Sequence, residues 1–289
     1  MRFFVSSSLQ YQVSGPATLL CSLRCSRTAG QRVLNEQLTT SRYVPRTELS
    51  VGLEENRFTK FDVEDPGDLG VQYGATVETS ETTVDIGEIG RDGGRTMDSI
   101  NAEALPYLFP SRYSPADRMR AAAMDLFGGI EGKFDVAMAI EDWLFEHIVY
   151  QVGSSAEQSW SLDTFEQRAG VCRDFAHLGI AFCRALTIPA RYVTVYAYQL
   201  EPQDFHALFE VYIGGRWYVV DGTRKVPLNG LVRIATGRDA SDAAVATLFG
   251  NVMGQGIQVW TQLDRTEEEA FKPMTRESLR DEGKALFLS

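Results

Sequence analysis

Cysteine and histidine are both scarce in this chain of 289 residues. The four cysteines are Cys21, Cys25, Cys172 and Cys183, and the three histidines are His147, His177 and His206. No Cys-x-x-Cys pair occurs, so a disulfide framework or a His/Cys zinc site has little to form from. Asn-x-Ser/Thr sites are absent as well, and free thiols in a reducing compartment are the simplest expectation. Basic charge is in deficit: 28 Lys and Arg against 39 Asp and Glu leave a net −11. Such a chain repels phosphate backbones, which excludes a broad nucleic-acid-binding role. No apolar run approaches the roughly 20 residues of a membrane span. The first fifteen residues hold one basic residue and an apolar patch broken by serines, not the h-region of a signal peptide. A cytoplasmic protein without a membrane partner is therefore expected. No EF-hand-like loop is visible, and the glycines of 250–256 do not make a dinucleotide fingerprint, so neither a metal nor an organic cofactor is expected.

What is present is an ordinary globular composition, 44% hydrophobic and 23% charged. Length favours two domains at one per roughly 150 residues. Residues 1–103 read as an antiparallel β-sandwich-like domain of short alternating runs parted by Gly, Asp and Ser clusters. The Gly- and Asp-rich stretch 85–101 reads as a loop. Residues 104–263 read as a second domain, with helices packed on an antiparallel sheet, so the fold class is α+β. There, 105–110 reads as an extended linker, and Ser114-Pro115 as an N-cap with proline at the first helical position. Helices are expected over 118–127, 134–147 and 172–186, with a helical turn near 163–167 and a polar stretch over 151–158. Strands are expected over 191–198, 206–213 and 216–221. The tail, 264–289, with seven acids and five bases, reads as a solvated helix or as partly disordered.

Three residues stand out by position. Cys172 opens a helix, His206 starts a strand, and Asp221 ends the next strand. If Gly214-Gly215 is a two-residue hairpin loop, Ile213 pairs with Arg216 and paired positions sum to 429. His206 and Asp221 then share a face as diagonal neighbours, with Cα atoms roughly 7–8 Å apart. A three-residue loop would put them on opposite faces. On the helix, Cys172, Ala176, Gly179 and Cys183 form a stripe of small residues that lets it press closely on the sheet. This predicts that the thiol reaches the face carrying His206. The helix N-terminus stabilises a thiolate and offers free amide N–H groups to an oxyanion. Cys172 then acts as nucleophile, His206 as base and acid, and Asp221 as the group that orients the imidazole.

The motifs Gly170-Val171-Cys172-Arg173-Asp174-Phe175-Ala176-His177, Ile188-Pro189-Ala190-Arg191-Tyr192, Phe205-His206-Ala207 and Trp217-Tyr218-x-x-Asp221 resemble those of the transglutaminase-like, papain-related cysteine enzymes of bacteria. The resemblance covers about residues 110–230, and the upstream region is similar to the β domain that often accompanies this core. It implies acyl transfer through a thioester, with a peptide or protein as substrate. Two positions depart from the family pattern: Leu208 stands where a Trp is usual, and Gly222 where a Pro follows the acid. The expected function is a cysteine amide hydrolase, peptidase- or isopeptidase-like. The alternatives are a transamidase with an amine acceptor, and a catalytically silent protein-binding module.

Other candidates have plainer readings. His177 lies about 140° around the helix from Cys172 and reads as structural. His147 suits the last turn of a helix. Asp204 is a weaker orienting acid for His206 than Asp221, and Glu210 is roughly 13 Å along the strand, too far to help. Cys21, Cys25 and Cys183 read as core. Tyr150 and Trp160 are candidates to shape an oxyanion hole, and neither can be placed by spacing.

Overall fold

The structure, a computed structural model, describes residues 1–52, 56–92, 101–153 and 159–288. Residues 93–100 of the expected loop and 154–158 of the expected polar stretch lie outside them.

The N-terminal region consists of β1 (Arg2–Cys21), β2 (Gln31–Thr40), β3 (Arg46–Val51), β4 (Asn56–Val63) and β5 (Gly67–Thr79). β1 alternates along its length, with Phe3, Val5, Leu9, Tyr11 and Val13 turned inward. β4 pairs with the second half of β1 and β5 with the first, all antiparallel. β6 (Glu81–Asp85) and α1 (Ile86–Asp92) follow. Part of the expected loop is thus helical, and Ile89 is buried there, which an exposed loop does not offer.

The second region contains α2 (Ala116–Phe127), α3 (Lys133–His147), β7 (Val149–Tyr150), α4 (Ser161–Gln167), β8 (Ala169–Gly170) and α5 (Cys172–Ala185). Then come β9 (Ala190–Ala197), β10 (Phe205–Ile213), β11 (Arg216–Val220), β12 (Leu231–Gly237), α6 (Ala240–Ala243), β13 (Ala246–Leu263), α7 (Arg276–Asp281) and β14 (Lys284–Leu288). From Asp174 to Ala185 every residue of α5 is buried, the mark of a helix enclosed on all sides. The core sheet runs β12-β9-β10-β11-β14-β6. The two regions exchange strands: β6 joins the core sheet, while β13 pairs with β1 in the N-terminal sheet.

Three expectations need correction. The tail is structured, because β14 pairs with β11 and β6 and its Leu286 fills a cluster with Val193, Leu208 and Val219. The linker is one 3-10 turn, Leu105–Leu108, because Tyr107 is buried edge-on against Trp217, centroids 5.2 Å apart. Ser114 is not the N-cap of α2: its hydroxyl donates to the His177 carbonyl at 3.0 Å, and Pro115 takes the cap position.

The regions are joined by buried polar contacts. The Asn56 side chain donates to Thr236 O at 2.6 Å and accepts from Thr236 N at 3.0 Å. The Tyr196 hydroxyl donates to Leu23 O at 2.9 Å.

Candidate active site

Cys172 is the first residue of α5 and is partly exposed. The helix start is fixed by Asp174, whose carboxylate accepts from Val171 N at 2.8 Å. An acid in the first turn also suits the helix dipole. Gly170 is needed here, since a Cβ on it would lie 2.6 Å from Asp174 Cβ. The small-residue stripe does press on the sheet: a Cβ on Gly179 would lie 2.6 Å from Phe209 Cζ. Phe209 and His206 occupy alternate positions of β10, however, and so point to opposite sides of it. The thiol therefore meets His206 at the end of the strand, not across one shared face. The stripe anchors the helix, and the terminal position of Cys172 makes the encounter.

The hairpin has the expected register, Ile213 opposite Arg216 and Phe209 opposite Val220. Gly214 and Gly215 both have positive φ, 58° and 85°, as a two-residue primed turn requires. His206 Nε2 and Asp221 Oδ2 are 2.8 Å apart, and both residues are buried. The other oxygen, Asp221 Oδ1, accepts from Thr223 N at 2.9 Å and from the Thr223 hydroxyl at 2.8 Å. Burial alone would raise this carboxyl. The neighbouring imidazole and the Thr223 donors outweigh burial and hold it below the usual carboxylate range. Burial likewise works against a charged His206. The Asp221 charge and hydrogen bond, aided by the Cys172 thiol, outweigh it and bring the imidazole up to about 10. With Nε2 held by Asp221, the buried Nδ1 is the ring nitrogen open to the Cys172 thiol, which lies close enough to act on the imidazole.

Tyr150 stands beside the thiol. β7 and β8 pair in parallel with Tyr150 opposite Gly170, two residues before Cys172. Burial first, and the Cys172 thiol second, push the Tyr150 hydroxyl up, while the Cys172 backbone opposes this. Trp160, the other oxyanion-hole candidate, sits half exposed with Arg118 over its ring at 5.8 Å.

The remaining candidates take structural places. His177 is buried between the rings of Tyr113 and Tyr192, and its Nε2 accepts from Ala240 N at 3.1 Å. Burial pulls it down to about 3, so it stays neutral. His147 stacks on Trp143. Glu210 pairs with Arg191 and Arg233 in the sheet interior. Asp204 caps its own neighbour, accepting from Phe205 N at 2.7 Å. Sequence reasoning missed three contributors: Asp174, Thr223 and Glu141. An acid three residues after the cap position, Val171, was the available signal for Asp174. Glu141 is buried on α3, with its Oε2 2.7 Å from Arg276 Nε. Burial brings it up to about 8, Arg276 and Arg224 oppose this, and Asp221 adds to it.

With this geometry in place, the comparisons are specific. The model of the transglutaminase-like superfamily matches residues 120–222, which include Cys172, His206 and Asp221. The model of the bacterial transglutaminase N-terminal domain matches residues 1–91. A Cytophaga hutchinsonii protein, provisionally described as a cysteine protease, has a crystal structure with a TM-score of 0.93 to this one. It is 40% identical, with 100% of this chain and 98% of that chain covered. The chain belongs to the transglutaminase-like superfamily. An uncharacterized Mycobacterium leprae protein is 29% identical over 217 residues, 71% of this chain and 75% of its own. Membership places the chain among cysteine-dependent enzymes generally. The transglutaminase-like core also accounts for Leu208, which packs with Val193, Val219 and Leu286 under the C-terminal strand β14.

Proposed function

We propose that this protein is a cysteine-dependent amide hydrolase, peptidase- or isopeptidase-like, working through a thioester acyl-enzyme. The observation that carries the reading is the buried His206 Nε2 to Asp221 Oδ2 hydrogen bond of 2.8 Å. It commits one ring nitrogen to the acid and leaves the other to Cys172.

In this reading the Cys172 thiolate, paired with the His206 imidazolium, attacks the amide carbonyl carbon. The carbonyl electrons move to oxygen, and N–H groups of the first turn of α5 face that charge. The Tyr150 hydroxyl is the side-chain candidate for the same task. His206 gives its proton to the departing amine as the C–N bond breaks, which leaves the thioester. His206 then takes a proton from water as the oxygen attacks. The C–S bond breaks, the acid product leaves, and the thiolate–imidazolium pair is restored. Asp221 stays ionised throughout and holds the ring.

The test uses the full chain on a proteome-derived peptide library, with new amine termini read by mass spectrometry. The wild type should create termini that Cys172→Ala and His206→Ala do not. Equal cleavage by Cys172→Ala would overturn the mechanism. A labelled primary amine in the same incubation separates hydrolysis from transamidation, because only the latter leaves the amine on the product.

A further inference from the structure

The strand β13 pairs with β1 along its whole length and has no strand on its other side among the described residues. Its outer main-chain groups are largely free to pair, although Thr261 N is taken by the Gln203 side chain at 2.7 Å. From Phe249 to Gln258 every residue except Val252 is exposed.

The composition of this edge is unlike that of the others. Exposed edges are normally blunted by charge or proline, which oppose pairing with another chain. In the two six-stranded sheets the other exposed edges follow that rule: β2 carries Arg32 and Glu36, β3 Arg46 and Glu48, and β6 Glu81 and Asp85, while β12 is buried along its length. The 18 residues of β13 contain no Asp, Glu, Lys, Arg or Pro, in a chain with a net charge of −11. Phe249, Met253, Ile257 and Trp260 are exposed large apolar residues on this one strand. Gly254 and Gly256 have open space where a Cβ would stand, and glycines in a strand let another backbone approach closely.

We infer that β13 is a self-association edge, pairing antiparallel with the β13 of a second copy of this chain. Antiparallel pairing of a strand with itself is two-fold symmetric and gives both copies the same hydrogen bonds. Charge selects this occupant. Two copies at −11 repel over most of their surfaces, and the uncharged strip is where that repulsion is least. A basic or acidic partner strand would find no counter-charge on β13. The pairing joins the two N-terminal sheets into one. It also sets the second copy near the loop of Gln203, three residues before His206.

The test is sedimentation velocity of the full chain over a micromolar concentration series. The wild type should sediment as a species of twice the 32.2 kDa of one chain. Met253→Lys with Ile257→Lys should weaken the dimer by roughly a hundredfold or more. Both side chains are exposed, so the far-ultraviolet circular dichroism should not change. A wild type that is monomeric throughout overturns the inference and leaves the edge to a strand of another protein. A folded double variant that dimerises as tightly as the wild type overturns it equally.

Discussion

The Leu144 side chain fills the space that any side chain at Gly222 would need. A Cβ on Gly222 would lie 2.9 Å from both Leu144 Cβ and Leu144 Cδ1. Leu144 is fully buried on α3, and Gly222 directly follows Asp221. The glycine that stands in place of the usual proline is thus part of the packing: α3 closes over the turn that carries the acid.

Gly222→Ala should therefore destabilise the protein by about 1–3 kcal/mol through overpacking. Leu144→Ala should cost about 2–5 kcal/mol for the buried atoms removed. The two effects should not add, since the smaller residue makes room for the new methyl group. Urea unfolding of the two single variants and the double variant measures this. Additivity within about 0.5 kcal/mol would mean that the two positions do not press on each other.

Gly179→Ala tests the seat of α5. Its new methyl group would meet the Phe209 ring, which is fully buried and cannot swing into solvent. A loss of roughly 1–3 kcal/mol is expected, with slower alkylation of Cys172 because the helix start moves with the helix. Phe209→Leu in the same chain should recover part of both losses. A fully stable Gly179→Ala protein with unchanged thiol reactivity would contradict this packing.

The pairing of His206 with Asp221 was legible in the sequence, because local rules fix its geometry. Gly214 and Gly215 set the hairpin loop, the loop sets the register, and the register brings His206 and Asp221 together. Tyr150 was not legible, because its place depends on a two-residue parallel pairing with Gly170. The exchange of β6 and β13 between the sheets was equally hidden. Leu263 pairs with Phe3, a contact that no local pattern announces. The strand β14 was masked by the charged stretch before it, and its role appears only when Leu286 meets Leu208.

Three buried groups shape stability against pH. His206 is raised from 6.5 to about 10, so its contribution is complete below pH 6.5 and is lost as pH rises through 10. Glu141 is raised from 4.5 to about 8, so the fold favours its neutral form, and that contribution is lost as pH rises through 8. His177 is lowered from 6.5 to about 3, so its contribution is present above 6.5 and is lost as pH falls toward 3. Between 4.5 and 6.5 the Glu141 and His177 changes oppose each other, and a plateau should lie there. Above 6.5 His206 and Glu141 act together, each contributing up to about 1.4 kcal/mol per pH unit. Urea unfolding across pH should show the steeper fall between 6.5 and 8, and Glu141→Gln should remove one proton from that slope. An unchanged slope in the variant would rule Glu141 out as its source.

The reactivity of the four thiols separates a triad from a packed cysteine. Burial pushes Cys21 and Cys25 up to about 12 and Cys183 up further, and all three are enclosed. Cys172 alone is partly exposed, next to an imidazole that keeps its proton up to about pH 10. Iodoacetamide near pH 6, followed by peptide mass mapping, should therefore label Cys172 and spare the other three. Asp221→Asn removes the charge that holds the proton on His206. Burial then dominates and pulls the imidazole down, so Cys172 loses the positive charge beside it. Labelling near pH 6 should fall roughly tenfold or more in this variant, because the charge beside the thiol is gone. Above about pH 9 the difference should close, because an ordinary thiol ionises there without help. A variant labelled as fast as the wild type near pH 6 would show that the Asp221 charge does not reach the thiol. Cys172 would then be a cysteine near a histidine, without the coupling that acyl transfer needs.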